Sequence, residues 1–184
     1  MLYRVFPWNP ARAPQAEGGA LFVPRIRQAT GRHDNPDRYG ALYVSRDPES
    51  AVAERIQAFR GRVLTDARLI RRDGSRYALV SLADDDLSPL VDLDDPAQLV
   101  ARGLRPSLVA TGDRSRTRSM AAALFDEGGP GFLWWSTLEA SWANATLFAE
   151  RSVSYLQPLG EPEPLSLDHP ALRAAADRLG VLLP

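Results

Sequence analysis

Cysteine, lysine, long apolar runs and clustered histidines are all missing from this 184-residue chain. Without cysteine, disulfides and thiolate zinc sites are excluded. Neither an apolar run of secretory length near the start nor a stretch of eighteen apolar residues occurs, so we expect no membrane association and a cytoplasmic location. The only histidines are His33 and His169, and no loop has the carboxylate spacing of a calcium site. We therefore expect no bound metal.

The absence of lysine means that all 22 basic residues are arginine. A GC-rich genome is the simplest explanation of this bias. Each cation is nevertheless a planar guanidinium, a shape suited to carboxylate or phosphate groups. The formal net charge of −1 argues against a broad nucleic-acid footprint, which needs a basic excess. We expect no direct contact with nucleic acid.

The order of predicted elements indicates the fold class. Strands and helices are mixed without a regular βαβ rhythm, which favours an α+β fold. A chain of this length is typical of one domain. We expect residues 1–155 to form the main body, and the Pro-rich segment and C-terminal helix of residues 156–184 to pack on it.

Periodicity and capping residues predict the individual elements. Alternating apolar residues predict strands over residues 2–6, 20–26, 38–45, 131–136 and 144–150, and Pro24 puts the second of these at an edge. Capping patterns predict helices from Asp47-Pro48 to Gly61, from Asp95 to Gly103, over 115–126, and after Asp168. The Asp73-Gly74 pair predicts a hairpin that joins residues 66–72 to 75–83.

Glu54 lies on the first predicted helix, which begins after Asp47. Val52, Ile56 and Phe59 form the core-facing stripe of this helix, and Glu54 lies nearly opposite to them. Spacing alone therefore favours a solvated glutamate. Its nearest neighbours on that side are alanines, which would also let a ligand or another surface approach.

Three other polar positions have a structural and a functional interpretation. Tyr43 points away from the Leu42/Val44 face of its strand, and a structural role is favoured for it because aromatic residues fill cores. Arg32 lies in a turn-rich segment, where it could bind an anion or lie in solvent. Ser136 lacks a G-x-S-x-G context, so hydrogen bonding is favoured over nucleophilic catalysis.

The arginines at 114, 116 and 118 open the helix of residues 115–126. Cations at a helix start oppose the macrodipole unless anions are near. A solvated cluster is the favoured interpretation, ahead of an anion-binding site.

Taken in order, these motifs resemble the RES-domain toxins, a family named for its arginine, glutamate and serine. The matching residues are Arg32 in GRHDNP, Glu54 in AVAER and Ser136 in LWWS, and Tyr43 matches the family's strand tyrosine. The resemblance runs from LYRVF to TLFAER. Many family members have a large aromatic residue where this chain has His33.

The resemblance implies an NAD⁺-directed enzyme with a fold similar to ADP-ribosyltransferase toxins: a compact domain with mixed, mainly antiparallel sheets flanked by helices. It also implies a toxin neutralised by a helix-turn-helix antitoxin, with which it could form an oligomer. NAD⁺ is then the substrate, and no cofactor is needed.

The resemblance also assigns roles to residues. Glu54 would stabilise an oxocarbenium-like transition state, Arg32 would bind the pyrophosphate, and Ser136 would hydrogen-bond the substrate. Substrate-binding roles fall to Tyr43 and to a set of neighbours, namely His33, Asn35 and Trp135. We expect the Glu54 and Arg32 side chains to converge on one pocket.

Three rival functions stand beside cleavage of NAD⁺ by water or phosphate. The first is mono-ADP-ribosylation of a host protein. The second is a non-catalytic interaction module that uses the aromatic segment WWSTLEASW, and the third is a ribonuclease. A ribonuclease is disfavoured by the near-neutral charge and the two histidines.

Overall fold

A computed structural model describes all residues from 1 to 184. The strands are β1 (Leu2–Trp8), β2 (Ala41–Ser45), β3 (Arg76–Ala83), β4 (Val91–Asp92), β5 (Gly131–Trp135), β6 (Ala143–Phe148) and β7 (Gln157–Pro164). The α-helices are α1 (Pro48–Ile56), α2 (Pro96–Ala101), α3 (Pro106–Val109), α4 (Arg114–Asp126), α5 (Ala149–Ser152) and α6 (Pro170–Leu179).

The strands form a mixed sheet of seven strands in the order β4-β5-β6-β2-β1-β3-β7. β1 pairs antiparallel with β3 from Leu2↔Leu82 to Trp8↔Arg76, and β3 pairs antiparallel with β7. β4 pairs parallel with β5, which is antiparallel to β6. The predicted α+β class, with a mixed and mainly antiparallel sheet flanked by helices, is confirmed.

Contacts between residues divide the chain into two compact units, and β2 contributes to both. The first unit comprises residues 1–22, 44–83 and 157–184. In it, α1 packs against α6 and against β1. The apolar stripes of these helices bury Val52, Ile56 and Leu172 almost completely, as amphipathic helices on a sheet do. This unit contains both ends of the chain.

The second unit comprises residues 23–43 and 84–156. Its core is strongly aromatic: Tyr39, Phe132, Trp134 and Phe148 are buried together with aliphatic residues of α2 and α4. The rings of Tyr39 and Phe148 are 4.6 Å apart and meet edge to face, a favourable arrangement of aromatic quadrupoles.

Most of the predicted elements are present. The strands near residues 2–6, 38–45, 131–136 and 144–150 correspond to β1, β2, β5 and β6, and the helix begun by Asp47-Pro48 is α1. Asp95 and Asp113 accept hydrogen bonds from the first turns of α2 and α4, which satisfies helix donors that have no partner in the helix itself. Gly61 and Gly103 have positive φ where the α1 and α2 segments end.

The strand predicted over residues 20–26 is wrong. The segment is a loop followed by a 3-10 turn over Arg25–Arg27. Arg4 of β1 donates to the carbonyls of Ala20 and Phe22, so a side chain satisfies backbone groups that a neighbouring strand would otherwise pair. Pro24 has no N–H to contribute to a ladder.

The hairpin predicted around Asp73-Gly74 is only half correct. β3 follows the turn as predicted, but residues 66–69 form a 3-10 helix instead of a strand, and pairing is limited to the bridge Ile70↔Arg76. The Asp66 carboxylate takes two hydrogen bonds from Arg76, at 2.8 and 2.6 Å. A charged pair joins the two segments where the prediction placed a backbone ladder.

The tail contains a strand, β7, which was not predicted because the segment is rich in proline. Pro158, Pro162 and Pro164 lie within it, and prolines are tolerated because β7 is an edge strand with β3 on one side only. The helix that follows begins after His169, one residue beyond the predicted cap Asp168. The division of the chain at residue 155 stays a prediction.

No helix of the chain combines the length and apolarity needed to cross a membrane. No group of three or more His, Cys, Asp or Glu side chains is placed to hold a metal ion.

Candidate functional site

The loop of residues 29–35 carries three of the predicted site residues, and α4 holds it in place. Arg118 of α4 donates to the carbonyls of Ala29 and Gly31, at 2.6 and 3.2 Å. The Thr117 hydroxyl donates to the Arg32 carbonyl. The favoured interpretation of the arginine cluster as solvated holds for Arg114 and Arg116, which are exposed, but Arg118 anchors this loop.

Asp34 closes the loop on itself. Its carboxylate accepts the Gly31 backbone N–H at 2.5 Å and the Tyr43 hydroxyl at 2.7 Å. The Asp34 side chain is only 5 % exposed, so these two bonds offset the cost of burying a polar group. A Cβ on residue 31 would lie 2.4 Å from an Asp34 oxygen, which explains why the residue before Arg32 is glycine.

Arg32 is held by backbone carbonyls and by an aromatic ring. Its Nη1 donates to the carbonyl of Thr111 at 2.6 Å and to that of Val109 at 3.3 Å. Its Cζ lies 5.4 Å from the ring centre of Trp134, within the range of a cation–π contact. The guanidinium is half-buried and therefore has a defined orientation before any ligand binds.

His33 turns inward from the same loop and is fully buried. Its ring meets Phe132 and Trp134 edge on, at 4.9 and 5.2 Å, and its Nδ1 lies 2.8 Å from Thr146 Oγ1. The other ring nitrogen, Nε2, is buried without a hydrogen-bond partner. Burial, followed by the charges of Arg32 and Arg114, lowers the pKa of His33 well below 6.5, so the ring is neutral at pH 7.

The hydroxyl groups of Tyr39 and Tyr43 both bind the backbone of His33 in this loop. The Tyr43 hydroxyl accepts the backbone N–H of His33 at 2.9 Å while it donates to Asp34. Burial, and then Asp34, raises the pKa of Tyr43. The Tyr39 hydroxyl donates to the His33 carbonyl at 2.8 Å and accepts Asn35 Nδ2 at 2.6 Å. Burial raises the pKa of Tyr39 to about 12, so both phenols stay protonated.

Asn35 links this loop to α4. Its Nδ2 also donates to the Arg118 carbonyl at 3.1 Å. Arg32, His33, Asn35 and Tyr43 therefore form one hydrogen-bonded neighbourhood. The contacts of Asn35 hold the loop against Tyr39 and α4. A substrate-binding role for Asn35 stays a prediction.

Ser136 and Trp135 end the strand β5. Ser136 is 2 % exposed, its N–H donates to the Trp142 carbonyl at 2.7 Å, and its Oγ accepts the Leu138 N–H at 3.1 Å. Ser136 therefore makes hydrogen bonds within its own loop, and its hydrogen bond to the substrate stays a prediction. Trp135 is half-buried beside the aromatic core.

Glu54 belongs to the first unit, unlike the other six site residues that the sequence predicts. It lies in the second half of α1 and is half-buried, less exposed than its helical position alone indicated. One carboxylate oxygen accepts Gln57 Nε2 at 3.0 Å. The convergence of Glu54 and Arg32 on one pocket stays a prediction.

Several residues that shape the site were not singled out from the sequence. Asp34 and Arg118 fix the Arg32 loop, Trp134 lies beside the guanidinium, and Thr146 holds both His33 and the indole Nε1 of Trp134, the latter at 3.1 Å. Asp34 lies two residues after the arginine in GRHDNP, so its position was a usable signal. Thr146 gave none, because a threonine in a strand has many structural explanations.

Chemically, the loop presents a cation with a fixed orientation beside an indole ring. The His33 ring and the Tyr39 and Tyr43 hydroxyls are neutral at pH 7, and the Gly31 N–H and the Tyr43 hydroxyl donate to Asp34. Such an arrangement suits an anionic group that has an aromatic moiety attached.

Comparisons with known proteins place the chain in a class. A sequence model of the RES domain matches residues 1–168, which is most of the chain. The protein belongs to the RES-domain family, and the resemblance drawn from Arg32, Glu54 and Ser136 is confirmed. A search of curated proteins finds no match.

Among solved structures, the chain is similar to one in the crystal structure of the M. tuberculosis MbcT-MbcA toxin-antitoxin complex. The two share 20% sequence identity with a TM-score of 0.66, over 98% of this chain and 88% of that chain. At this identity the likeness shows a shared fold.

Proposed function

We propose that the chain is a toxin that cleaves NAD⁺ at the bond between nicotinamide and ribose, and that an antitoxin protein neutralises it. Membership of the RES-domain family supports the proposal, as does the fold shared with a chain of a toxin–antitoxin complex. The observation that carries it is Arg32, whose guanidinium is fixed by two carbonyls and an indole ring.

The proposed reaction breaks the glycosidic C–N bond of the nicotinamide riboside moiety. The bonding electron pair goes to the ring nitrogen, so nicotinamide leaves neutral and needs no proton from an acid. Positive charge develops on the ribose as an oxocarbenium ion. The oxygen of water or phosphate then bonds to the anomeric carbon; with water, the proton that is lost passes to solvent or to a carboxylate.

The roles follow from charge. Arg32 binds the pyrophosphate of NAD⁺ through its guanidinium, whose orientation costs little entropy because the loop already fixes it. Glu54 stabilises the developing positive charge on the ribose. Tyr43 and Asn35 hold the loop, His33 supports it from the core, and Ser136 and Trp135 complete the substrate contacts.

The partner is proposed from the same relatives. A toxin that consumes NAD⁺ requires an inhibitor in the cell that makes it, and the similar chain was crystallised in a complex with an antitoxin. A helix-turn-helix type for that antitoxin stays a prediction.

The test is an assay of purified protein with NAD⁺, with and without phosphate, in which mass spectrometry follows nicotinamide and the sugar products. We expect Glu54→Gln to reduce nicotinamide release by at least about 10²-fold, the scale of losing an electrostatic stabiliser. Glu49→Gln, on the first turn of the same helix, is the control and should retain activity.

Other results would assign another function. Retained turnover in Glu54→Gln removes Glu54 from the mechanism. Unchanged NAD⁺ under all conditions, with labelled protein bands in a lysate given labelled NAD⁺, indicates an ADP-ribosyltransferase. Unchanged NAD⁺ without labelled bands indicates a non-catalytic module.

A further inference from the structure

The second unit has a cavity that shares one residue, Trp135, with the contacts proposed for NAD⁺. Its volume is about 90 Å³, several times the roughly 10–15 Å³ that one water molecule needs. Its lining includes the aromatic residues Trp134, Trp135 and Trp142 and the acidic residues Asp92 and Asp94. The space is partly open to solvent, and Asp94 at its edge is exposed, so a side chain of another molecule can enter it.

Strand register builds this cavity. Asp92 of β4 pairs with Leu133 of β5, and Leu133 and Trp135 share a face because side chains alternate along a strand. Phe132 and Trp134 belong to the aromatic core, and Trp134 also borders the cavity.

The loop between β5 and β6 supplies the second indole. The Trp142 carbonyl accepts the Ser136 N–H at 2.7 Å, and the Trp142 N–H donates to the Glu139 carbonyl at 3.1 Å. These bonds fold the loop back so that Trp142 joins Trp135 at the cavity. The small residues Ala140, Ser141 and Ala143 line the remaining wall and leave the space open.

The charge of the cavity is negative and is not neutralised within the chain. One Asp92 oxygen accepts the Asp94 backbone N–H at 2.9 Å. Neither carboxylate is in an ion pair with any arginine of the chain. Two uncompensated carboxylates beside indole rings favour a cationic occupant.

The alternatives fit this cavity less well. The phosphates of a nucleotide would be repelled by the two carboxylates. A metal ion would find no group of three suitable ligands here. A guanidinium is flat enough to lie against an indole, is weakly hydrated, and pairs with a carboxylate through two parallel hydrogen bonds.

We propose that this cavity binds the guanidinium of an arginine side chain presented by a polypeptide partner. Within the proposed function the partner is the antitoxin, and that assignment rests on the proposed function. The site itself rests on the two carboxylates and two indoles.

The test titrates the full chain, with ¹⁵N-labelled indoles, with Nα-acetyl-arginine amide and separately with Nα-acetyl-citrulline amide, its neutral analogue. We expect the Trp135 and Trp142 indole signals to shift with the arginine probe alone. The double variant Asp92→Asn and Asp94→Asn should bind it about tenfold more weakly or worse, since charge-assisted hydrogen bonds are lost. Asp86→Asn, an exposed carboxylate elsewhere, is the matched control and should bind normally.

A separate assay keeps this inference distinct from the proposed function. The double variant should release nicotinamide from NAD⁺ as fast as the unmodified chain, and a chain without NAD⁺ activity would still report on arginine binding. Equal shifts with citrulline, or undiminished binding by the double variant, would each overturn the proposal.

Discussion

The two units of the chain bury different kinds of side chain. In the first unit the fully buried polar residues are two serines, Ser45 and Ser50, and its helices pack through Val, Ile, Leu and Ala. The second unit buries a larger polar set, namely His33, Asp34, Thr117, Ser136, Asn144, Thr146 and Ser152. Burying polar groups is costly unless each finds a partner.

The difference indicates where binding chemistry is concentrated. Around the loop of residues 29–35, hydrogen bonds hold His33, Asp34, Thr117 and Thr146, and such networks fix side-chain geometry more sharply than apolar packing does. Six of the seven site residues predicted from the sequence lie there, and Glu54 is the contribution of the first unit. Apolar packing should therefore determine stability in the first unit, and polar contacts should determine ligand binding in the second.

The largest expected effect is on the stability of the first unit. Leu172 is fully buried in α6, and Leu172→Ala would remove its side chain and leave a cavity. We expect the free energy of unfolding to fall by about 2–5 kcal/mol, measured by urea denaturation, with an unchanged KM in the proposed cleavage of NAD⁺ by the folded protein.

The control for this variant is Leu182→Ala, because Leu182 is 55% exposed in the same unit. It should change the unfolding free energy by less than about 0.5 kcal/mol. Equal costs at the two leucines, or a raised KM with Leu172→Ala, would remove the contrast between the units.

A smaller loss of stability, accompanied by a loss of binding, is expected in the second unit. Asp34→Ala leaves the Gly31 N–H and the Tyr43 hydroxyl without their acceptor, at a cost of about 1–3 kcal/mol. Because these contacts orient the Arg32 loop, KM for NAD⁺ should rise more than kcat falls, as measured by nicotinamide release.

Two further variants qualify this result. Asp34→Asn retains one acceptor oxygen and should restore part of the affinity, whereas Asp37→Ala, in the exposed turn beyond, should behave as the unmodified chain. If Asp34→Ala resembles Asp37→Ala in both stability and KM, the loop is not held by Asp34.

Sequence reasoning succeeded where local rules decide the structure. Proline after Asp47 and Asp95 begins helices because proline is preset for the first helical position, and Gly61 and Gly103 have the positive φ that glycine adopts most easily. The motif of Arg32, Glu54 and Ser136 identified the family because its residues occur in a fixed order.

It failed where distant residues decide. Arg4 donates to the carbonyls of Ala20 and Phe22, and Arg76 donates to the Asp66 carboxylate. Neither pairing can be predicted from the local sequence of the segment concerned. Arg118 was expected to be solvated because it belongs to a cluster of arginines at the start of a helix. In the structure it donates to the carbonyls of Ala29 and Gly31. Long-range hydrogen bonds of this kind need the three-dimensional path of the chain.

The smallest expected effect depends on pH and on the buried ring of His33. Its pKa in the folded protein lies well below the ordinary value of 6.5, so below pH 6.5 the unfolded chain binds a proton that the folded chain does not. The stability that comes from a neutral His33 is therefore complete above pH 6.5 and is lost as the pH falls. Between pH 7.5 and pH 5.5 we expect a loss on the order of 1 kcal/mol from this group, measured by urea denaturation at both values. His33→Phe should abolish that part of the loss, and His169→Gln, in the first unit, should keep it. An unaltered pH dependence in His33→Phe would mean that the aromatic core of the second unit tolerates a charged imidazole, and the contrast between the units would then rest on Asp34 alone.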